Sequence, residues 1–93
     1  IEMAKQYQPD VVLLDIAMPE LNGLQIAALL KKVAPQTEIL IVTQYDHHFF
    51  VREAFAVGAR GFLKKSDAGT ELLTAVTEVF TKKQFLSKSL RAA

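Results

Sequence analysis

Residues 12–23 have the sequence VLLDIAMPELNG, in which an apolar run ends in one carboxylate, Asp15. Pro19 and the turn pair Asn22-Gly23 follow within a few residues. A charge at the end of a buried strand is costly unless something compensates or uses it. The stretch therefore predicts a short buried strand that ends in an acid with a functional role.

Apolar runs of strand length alternate with segments of helical spacing along the 93 residues. Helices are predicted before Pro9 and over residues 24–33 and 47–57. A last helix is predicted to run to Lys82-Lys83, and either Ser66 or Asp67 can cap its start. The predicted strands cover residues 11–14, 38–43 and 61–63. We divide the chain into a partial domain over residues 1–82 and a basic, partly ordered linker over residues 83–93.

Strands that alternate with helices indicate an α/β fold, a doubly wound parallel sheet covered on both faces. Right-handed crossovers bring the carboxyl ends of parallel strands to one edge of the sheet. The residues at those ends are Asp15, Thr43 and Lys65. Open α/β sheets bind their ligands at that edge, so these three residues are the predicted functional site.

A carboxylate, a hydroxyl and an ammonium group suit phosphoryl transfer. Asp15 is a candidate nucleophile that would form an aspartyl phosphate. Lys65 and the hydroxyl of Thr43 would stabilise the phosphoryl oxygens, and Mg²⁺ is the expected cofactor.

Three ordered motifs make the chain similar to receiver domains of two-component response regulators. They are PDVVLLDIAMPELNG at residues 9–23, IVT at residues 41–43 and GARGFLKK at residues 58–65. The resemblance covers nearly the whole chain. It implies the flavodoxin-like (CheY-like) fold with strand order 2-1-3-4-5, of which this sequence matches the last three strands and their helices.

The resemblance assigns a role to each motif residue. It implies that Asp15 is the phosphoacceptor, Thr43 the switch hydroxyl, Phe62 the switch aromatic and Lys65 the phosphate-pairing lysine. Asp15 and the backbone carbonyl of Ala17 would bind Mg²⁺. On phosphorylation Thr43 would move toward the phosphoryl group and Phe62 would turn inward.

The segments KSD at residues 65–67, EL at residues 71–72 and FLS at residues 85–87 resemble the NarL/FixJ (LuxR-type) subfamily. That resemblance implies a signalling domain rather than an enzyme, with a sensor histidine kinase as phosphoryl donor. It implies a transcriptional output through a helix-turn-helix DNA-binding domain outside this sequence. A homodimer through the surface around Phe62 and the last predicted helix is a further expectation.

The net charge of +1 is too small to create an electrostatic field that would attract the domain itself to nucleic acid. No apolar run is long enough to cross a bilayer. A cytoplasmic protein is expected.

The sequence also departs from the family. The acidic pair that ends the family's first strand and binds Mg²⁺ does not occur here, nor do its first strand, first helix and second strand. The family's Lys-Pro pair is replaced by Lys65-Ser66. The alternative function is therefore a truncated or degenerate receiver that acts as a phosphorylation-independent interaction module.

Other classes fit less well. Phosphohydrolases with an aspartyl nucleophile resemble one another in a second acid two residues on, where this sequence has Ala17. A nucleotide-binding domain needs a glycine-rich phosphate loop, which the sequence lacks. Asp46-His47-His48 invites a metal-site interpretation, but adjacent helical residues point about 100° apart, which favours a solvated helix start.

Overall fold

The computed structural model describes residues 10–16 and 21–91, apart from the side chains of residues 21 and 22. The helix predicted before Pro9, together with Ala17 and Pro19, lies outside the described residues. The elements in chain order are β1 Val11–Asp15, α1 Leu21–Val33, β2 Glu38–Thr43, α2 His48–Ala56, β3 Gly61–Lys64, a 3-10 helix Lys65–Asp67, α3 Ala68–Phe80, β4 Phe85–Leu86 and α4 Lys88–Arg91.

The strands form one parallel sheet in the order β1-β2-β3-β4. The first three strands are those that the sequence predicts, and the α/β fold is confirmed. The prediction that the strand before Asp15 is buried is wrong, because β1 is half-buried and Leu13 is 49% exposed. Asp15 lies opposite Val42, and Thr43 opposite Lys64, so the three strands end at one edge of the sheet as expected. The fourth strand was not predicted, and it lies in the segment interpreted as a linker.

The core has two layers, one on each face of the sheet. Helices α1 and α2 cover one face, with Leu24, Leu30, Phe50 and Val51 packed toward Ile41 of the central strand β2. On the opposite face, helix α3 and strand β4 enclose a smaller buried cluster, composed of Leu40, Leu63, Ala75, Val79 and Phe85. Because helices cover both faces of the parallel sheet, its strands need apolar side chains on both faces. This explains the unbroken apolar runs in the sequence.

Gly61 begins β3 where the side chains of the smaller buried cluster leave no room for a larger residue. A Cβ at this position would lie 2.7 Å from Val79 Cγ2 and 2.9 Å from Leu40 Cδ1. The glycine lets helix α3 approach the sheet closely, which fixes the position of the strand that leads to Lys65.

A buried carboxylate secures the end of the sheet away from the predicted site. Glu38 starts β2, and its side chain is 6% exposed. It binds Arg60 at 3.0 Å and Lys82 at 3.1 Å, with Lys31 at 3.9 Å. Burial opposes ionisation of this carboxyl, but the hydrogen bonds from Arg60 and Lys82 outweigh burial and lower the pKa of Glu38. One carboxylate thus joins three cations from separate parts of the chain.

Candidate functional site

Asp15 and Lys65 meet at the carboxyl edge of the sheet. The Nζ of Lys65 lies 2.9 Å from Oδ1 of Asp15. The side chain of Asp15 is 65% exposed, whereas that of Lys65 is 37% exposed. The acid that ends the apolar run therefore has both a cationic partner and access to solvent, which accounts for a charge in that position.

The neighbouring lysine is directed elsewhere. The Nζ of Lys64 lies 2.9 Å from Oδ2 of Asp46, in the loop after β2. The hydrogen bond from Lys64 lowers the pKa of Asp46, and so does the positive charge of that lysine. Asp46 thus engages Lys64 and leaves Lys65 as the cation at Asp15.

The peptide after Lys65 is held by a second contact from the loop after β2. The backbone N–H of Ser66 donates to Oε1 of Gln44 at 3.1 Å. The described residues contain no cis peptide bond, so Lys65-Ser66 is trans. A proline at this position would lack the N–H that Gln44 accepts. Asp46 therefore positions Lys64, Gln44 positions the peptide that follows Lys65, and neither role was predicted from the sequence.

Thr43 lies at the predicted edge, and its side chain is fully buried. Its hydroxyl accepts a hydrogen bond from the backbone N–H of Tyr45 at 3.2 Å. Side chains alternate along a strand, so the register puts Thr43 on the face of Phe62, and Asp15 on the opposite face. The structure brings Asp15 and Lys65 together, while the hydroxyl of Thr43 is bonded within its own loop.

Phe62 is fully buried in the core beside α2. Its ring meets that of Phe50 edge to face, with centroids 5.9 Å apart and planes at 78°. This is a favoured geometry for an aromatic pair. The inward orientation that the resemblance associates with phosphorylation is therefore already present in this structure.

His47 lies just before α2, and His48 is its first residue. His47 caps helix α2, because its Nδ1 accepts the N–H of Phe49 at 3.2 Å. Over residues 10–16 and 21–91, no group of three or more acidic, histidine or cysteine side chains could hold a metal ion. At the carboxyl edge Asp15 is the carboxylate that pairs with Lys65, Asp46 is paired with Lys64, and Ala17 lies outside the described residues.

One carboxylate is compatible with Mg²⁺, which is usually bound by one or two carboxylates with several waters. Asp15 is exposed enough to accept such a hydrated ion. The described residues therefore fit one ligand position, and they do not complete a coordination sphere.

Comparison with known proteins identifies the family of the chain. Residues 1–77 match the response regulator receiver domain family. The chain therefore belongs to the response regulator receiver domain family. Several relatives of this chain are transcriptional regulatory proteins, and two of them illustrate the similarity.

The chain is 34% identical over 90 residues to a probable transcriptional regulatory protein NarL of Mycobacterium tuberculosis. The aligned residues cover 97% of this chain and 42% of that protein. It is 38% identical over 76 residues to the transcriptional regulatory protein YxjL of Bacillus subtilis, covering 82% of this chain and 35% of that protein. The chain thus spans less than half the length of these relatives.

Solved structures show the same fold. A two-component response regulator of the LuxR family from Aurantimonas has a TM-score of 0.87 at 24% identity, covering 98% of this chain and 65% of that chain. The response regulator ChrA of a heme-sensing two-component system has a TM-score of 0.68 at 30% identity, covering 91% of this chain and 42% of that chain.

Within the described parts of the chain, no helix has both the length and the apolar character that crossing a bilayer requires.

Proposed function

We propose that this chain is the phosphoacceptor domain of a two-component response regulator and that Asp15 accepts the phosphoryl group. The observation that carries the proposal is the 2.9 Å pair between Lys65 Nζ and Asp15 Oδ1 at the open edge of the sheet. The pair combines an exposed nucleophile with a cation that can follow the charge onto the transferred group.

The reaction is a displacement at phosphorus. An oxygen of the Asp15 carboxylate attacks the phosphorus of the donor, and a new O–P bond forms as the bond to the leaving group breaks. The leaving group departs with the electron pair, as acetate from acetyl phosphate or as the imidazole of a phosphohistidine. Lys65 pairs with a phosphoryl oxygen in the product, because its ammonium already lies at the carboxylate.

Thr43 is the proposed switch hydroxyl. In the state described here it accepts from Tyr45 N–H, so movement toward a phosphoryl oxygen exchanges that hydrogen bond for a charge-assisted one. Phe62 needs no inward turn, since its ring is already buried against Phe50. The conformational change then concerns the loop of Thr43 and Tyr45 more than the aromatic ring.

Mg²⁺ is proposed as the cofactor, with Asp15 and the carbonyl of Ala17 among its ligands. The ion would neutralise charge that the single ammonium of Lys65 leaves on the phosphoryl oxygens. The exposed carboxylate of Asp15 supports this assignment.

The proposed partners follow from the family. A sensor histidine kinase donates the phosphoryl group, and the output is transcriptional, through a DNA-binding domain beyond this chain. The names of the transcriptional relatives support the output.

A homodimer through α3 is supported by three apolar side chains exposed along that helix, Leu72, Leu73 and Phe80. Leu73→Glu should then lower the dimer fraction measured by sedimentation.

The deciding experiment is phosphorylation of the full-length protein with acetyl phosphate and Mg²⁺. We expect one phosphoryl group, sensitive to hydroxylamine as an acyl phosphate is, and we expect Asp15→Asn to remove it. The matched control is Asp10→Asn, because Asp10 is an exposed acid just before the same strand. Labelling that survives Asp15→Asn would exclude Asp15 as the acceptor, and a wild-type protein that takes no label would favour the phosphorylation-independent module.

A further inference from the structure

Two carboxylates outside the phosphoacceptor site bind the C-terminal segment of the chain. The Oδ2 of Asp67 accepts from the hydroxyl of Ser87, from the hydroxyl of Ser89 at 2.7 Å and from the N–H of Ser89 at 3.2 Å. One helical turn further on, Glu71 accepts the N–H of Lys88 at 2.8 Å and Nη2 of Arg91 at 2.9 Å. Five donors of one short segment thus converge on two acids.

The two acids and Ser87 are shielded from water, whereas Lys88, Ser89 and Arg91 are exposed. Asp67 is 8% exposed, Glu71 is 9% exposed, and Ser87 is fully buried. The guanidinium of Arg91 also lies 5.9 Å from the ring centre of Phe85, in a cation–π arrangement. Charge-assisted hydrogen bonds are stronger where water is excluded, so the segment stabilises two acids that would otherwise be costly to bury.

The same contacts reach the phosphoacceptor site through a three-residue connection. Lys65, the partner of Asp15, begins the 3-10 helix that Asp67 ends. The residue between them, Ser66, is fixed by Gln44. In addition, the carbonyl of Phe62 accepts the N–H of Ser87 at 3.0 Å. The strand and turn that carry Lys65 therefore also carry the binding site of the C-terminal segment.

We propose that Asp67 and Glu71 form a binding site for residues 87–91 of the same chain, and that occupancy of this site depends on where Lys65 is bound. While Lys65 pairs with Asp15, the 3-10 helix is fixed and the segment is held. When Lys65 leaves that carboxylate oxygen for a phosphoryl oxygen, the helix shifts and the segment is released. The release step rests on the proposed function, whereas the binding site does not.

The binding site is tested by hydrogen exchange on the unphosphorylated full-length protein. The amides of Lys88 and Ser89 donate to Glu71 and Asp67, so their exchange reports occupancy directly. We expect Asp67→Asn to speed their exchange by about tenfold, with no change from the exposed control Asp10→Asn.

The amide of Arg60, which donates to the carbonyl of Ile39, serves as a reference for unfolding of the whole domain. If Asp67→Asn does not fold, Ser89→Ala removes one donor while the acid remains, and it should speed the same two amides. Unchanged exchange in the folded variant would overturn the binding site.

The dependence on Lys65 is tested without phosphorylation. Lys65→Gln should speed exchange at Lys88 and Ser89 by about fivefold or more, whereas Lys64→Gln, which removes the adjacent ion pair with Asp46, should not. Equal exchange in the two variants would overturn the coupling. Because neither measurement needs a phosphoryl group, a protein that cannot be labelled would refute the proposed function alone.

Discussion

Lys64 and Lys65 are adjacent in the chain, yet their ammonium groups bind different carboxylates, those of Asp46 and Asp15. Lys64 ends strand β3, and Lys65 begins the 3-10 helix, so the change of backbone conformation between them separates the two side chains. The choice between two otherwise equivalent lysines is therefore made by secondary structure and by Asp46.

This difference leads to a paired prediction. We expect Lys65→Gln to slow labelling of Asp15 by acetyl phosphate by about 100-fold, because a cation that stabilises the transferred group is lost. Lys64→Gln should leave the rate nearly unchanged. Rates from phosphoprotein mass spectrometry provide the measurement. A larger effect of Lys64→Gln would contradict the prediction and assign the phosphate-pairing role to Lys64.

Metal removal should stop labelling. At the described carboxyl edge Lys65 is the cation paired with Asp15, while Lys64 is engaged by Asp46, which leaves little charge compensation for a phosphoryl group on Asp15. We expect EDTA to reduce incorporation to background and added Mg²⁺ to restore it, because the ion supplies the missing positive charge. Ca²⁺, which is larger and takes more ligands, is the comparison ion. Labelling at full rate in EDTA would exclude the metal.

Gly61 and Gly69 form a matched pair for packing. Gly61→Ala should lower the free energy of unfolding by about 1–3 kcal/mol, because its Cβ would overlap Val79 and Leu40. Gly69 lies in the first turn of α3, and a Cβ there meets nothing within 4 Å. Gly69→Ala should be neutral or stabilise the domain by up to about 1 kcal/mol. Urea unfolding of both variants gives the comparison, and equal effects would contradict the close approach at Gly61.

Glu38 predicts a specific sensitivity to acid. Its folded-state pKa is lowered below the ordinary value of 4.5, since the hydrogen bonds from Arg60 and Lys82 outweigh the opposing effect of burial. A lowered folded pKa contributes stability that is present above the unfolded pKa and is lost as the pH falls through the folded pKa.

Glu38→Gln should therefore cost about 2 kcal/mol at pH 7 and weaken the loss of stability below about pH 4.5. The exposed Glu53→Gln is the control, and it should follow the wild-type pH profile. Unfolding free energies from pH 7 downward test both statements. A Glu38→Gln profile parallel to that of the wild type would show that another group is responsible.

The part of the fold that follows from apolar runs could be predicted, and the part that depends on distant polar contacts could not. Strands β1, β2 and β3 are signalled by continuous apolar residues, and parallel topology then brings Asp15, Thr43 and Lys65 to one edge. Strand β4 has only two residues, Phe85 and Leu86, which is too short for a periodic signal. The domain boundary at residue 82 stays a prediction.

Two polar residues show the same limit. Asp67 was one of two expected helix caps, and it occupies the N-cap position of α3, but its side chain makes no capping hydrogen bond there. It binds Ser87 and Ser89 instead, about 20 residues away. Gln44 gave no signal at all, because its partner is a backbone N–H whose position depends on the tertiary fold.

The hydrogen bond from Ser66 N–H to Gln44 has a consequence for how relatives of this chain diverge. A proline at position 66 has no N–H to donate, so it would leave the Gln44 carbonyl without this partner. Positions 44 and 66 should therefore vary together among relatives. Where a proline follows the lysine that corresponds to Lys65, position 44 should no longer need a hydrogen-bond acceptor. Exchanging both residues together should then be better tolerated than exchanging one.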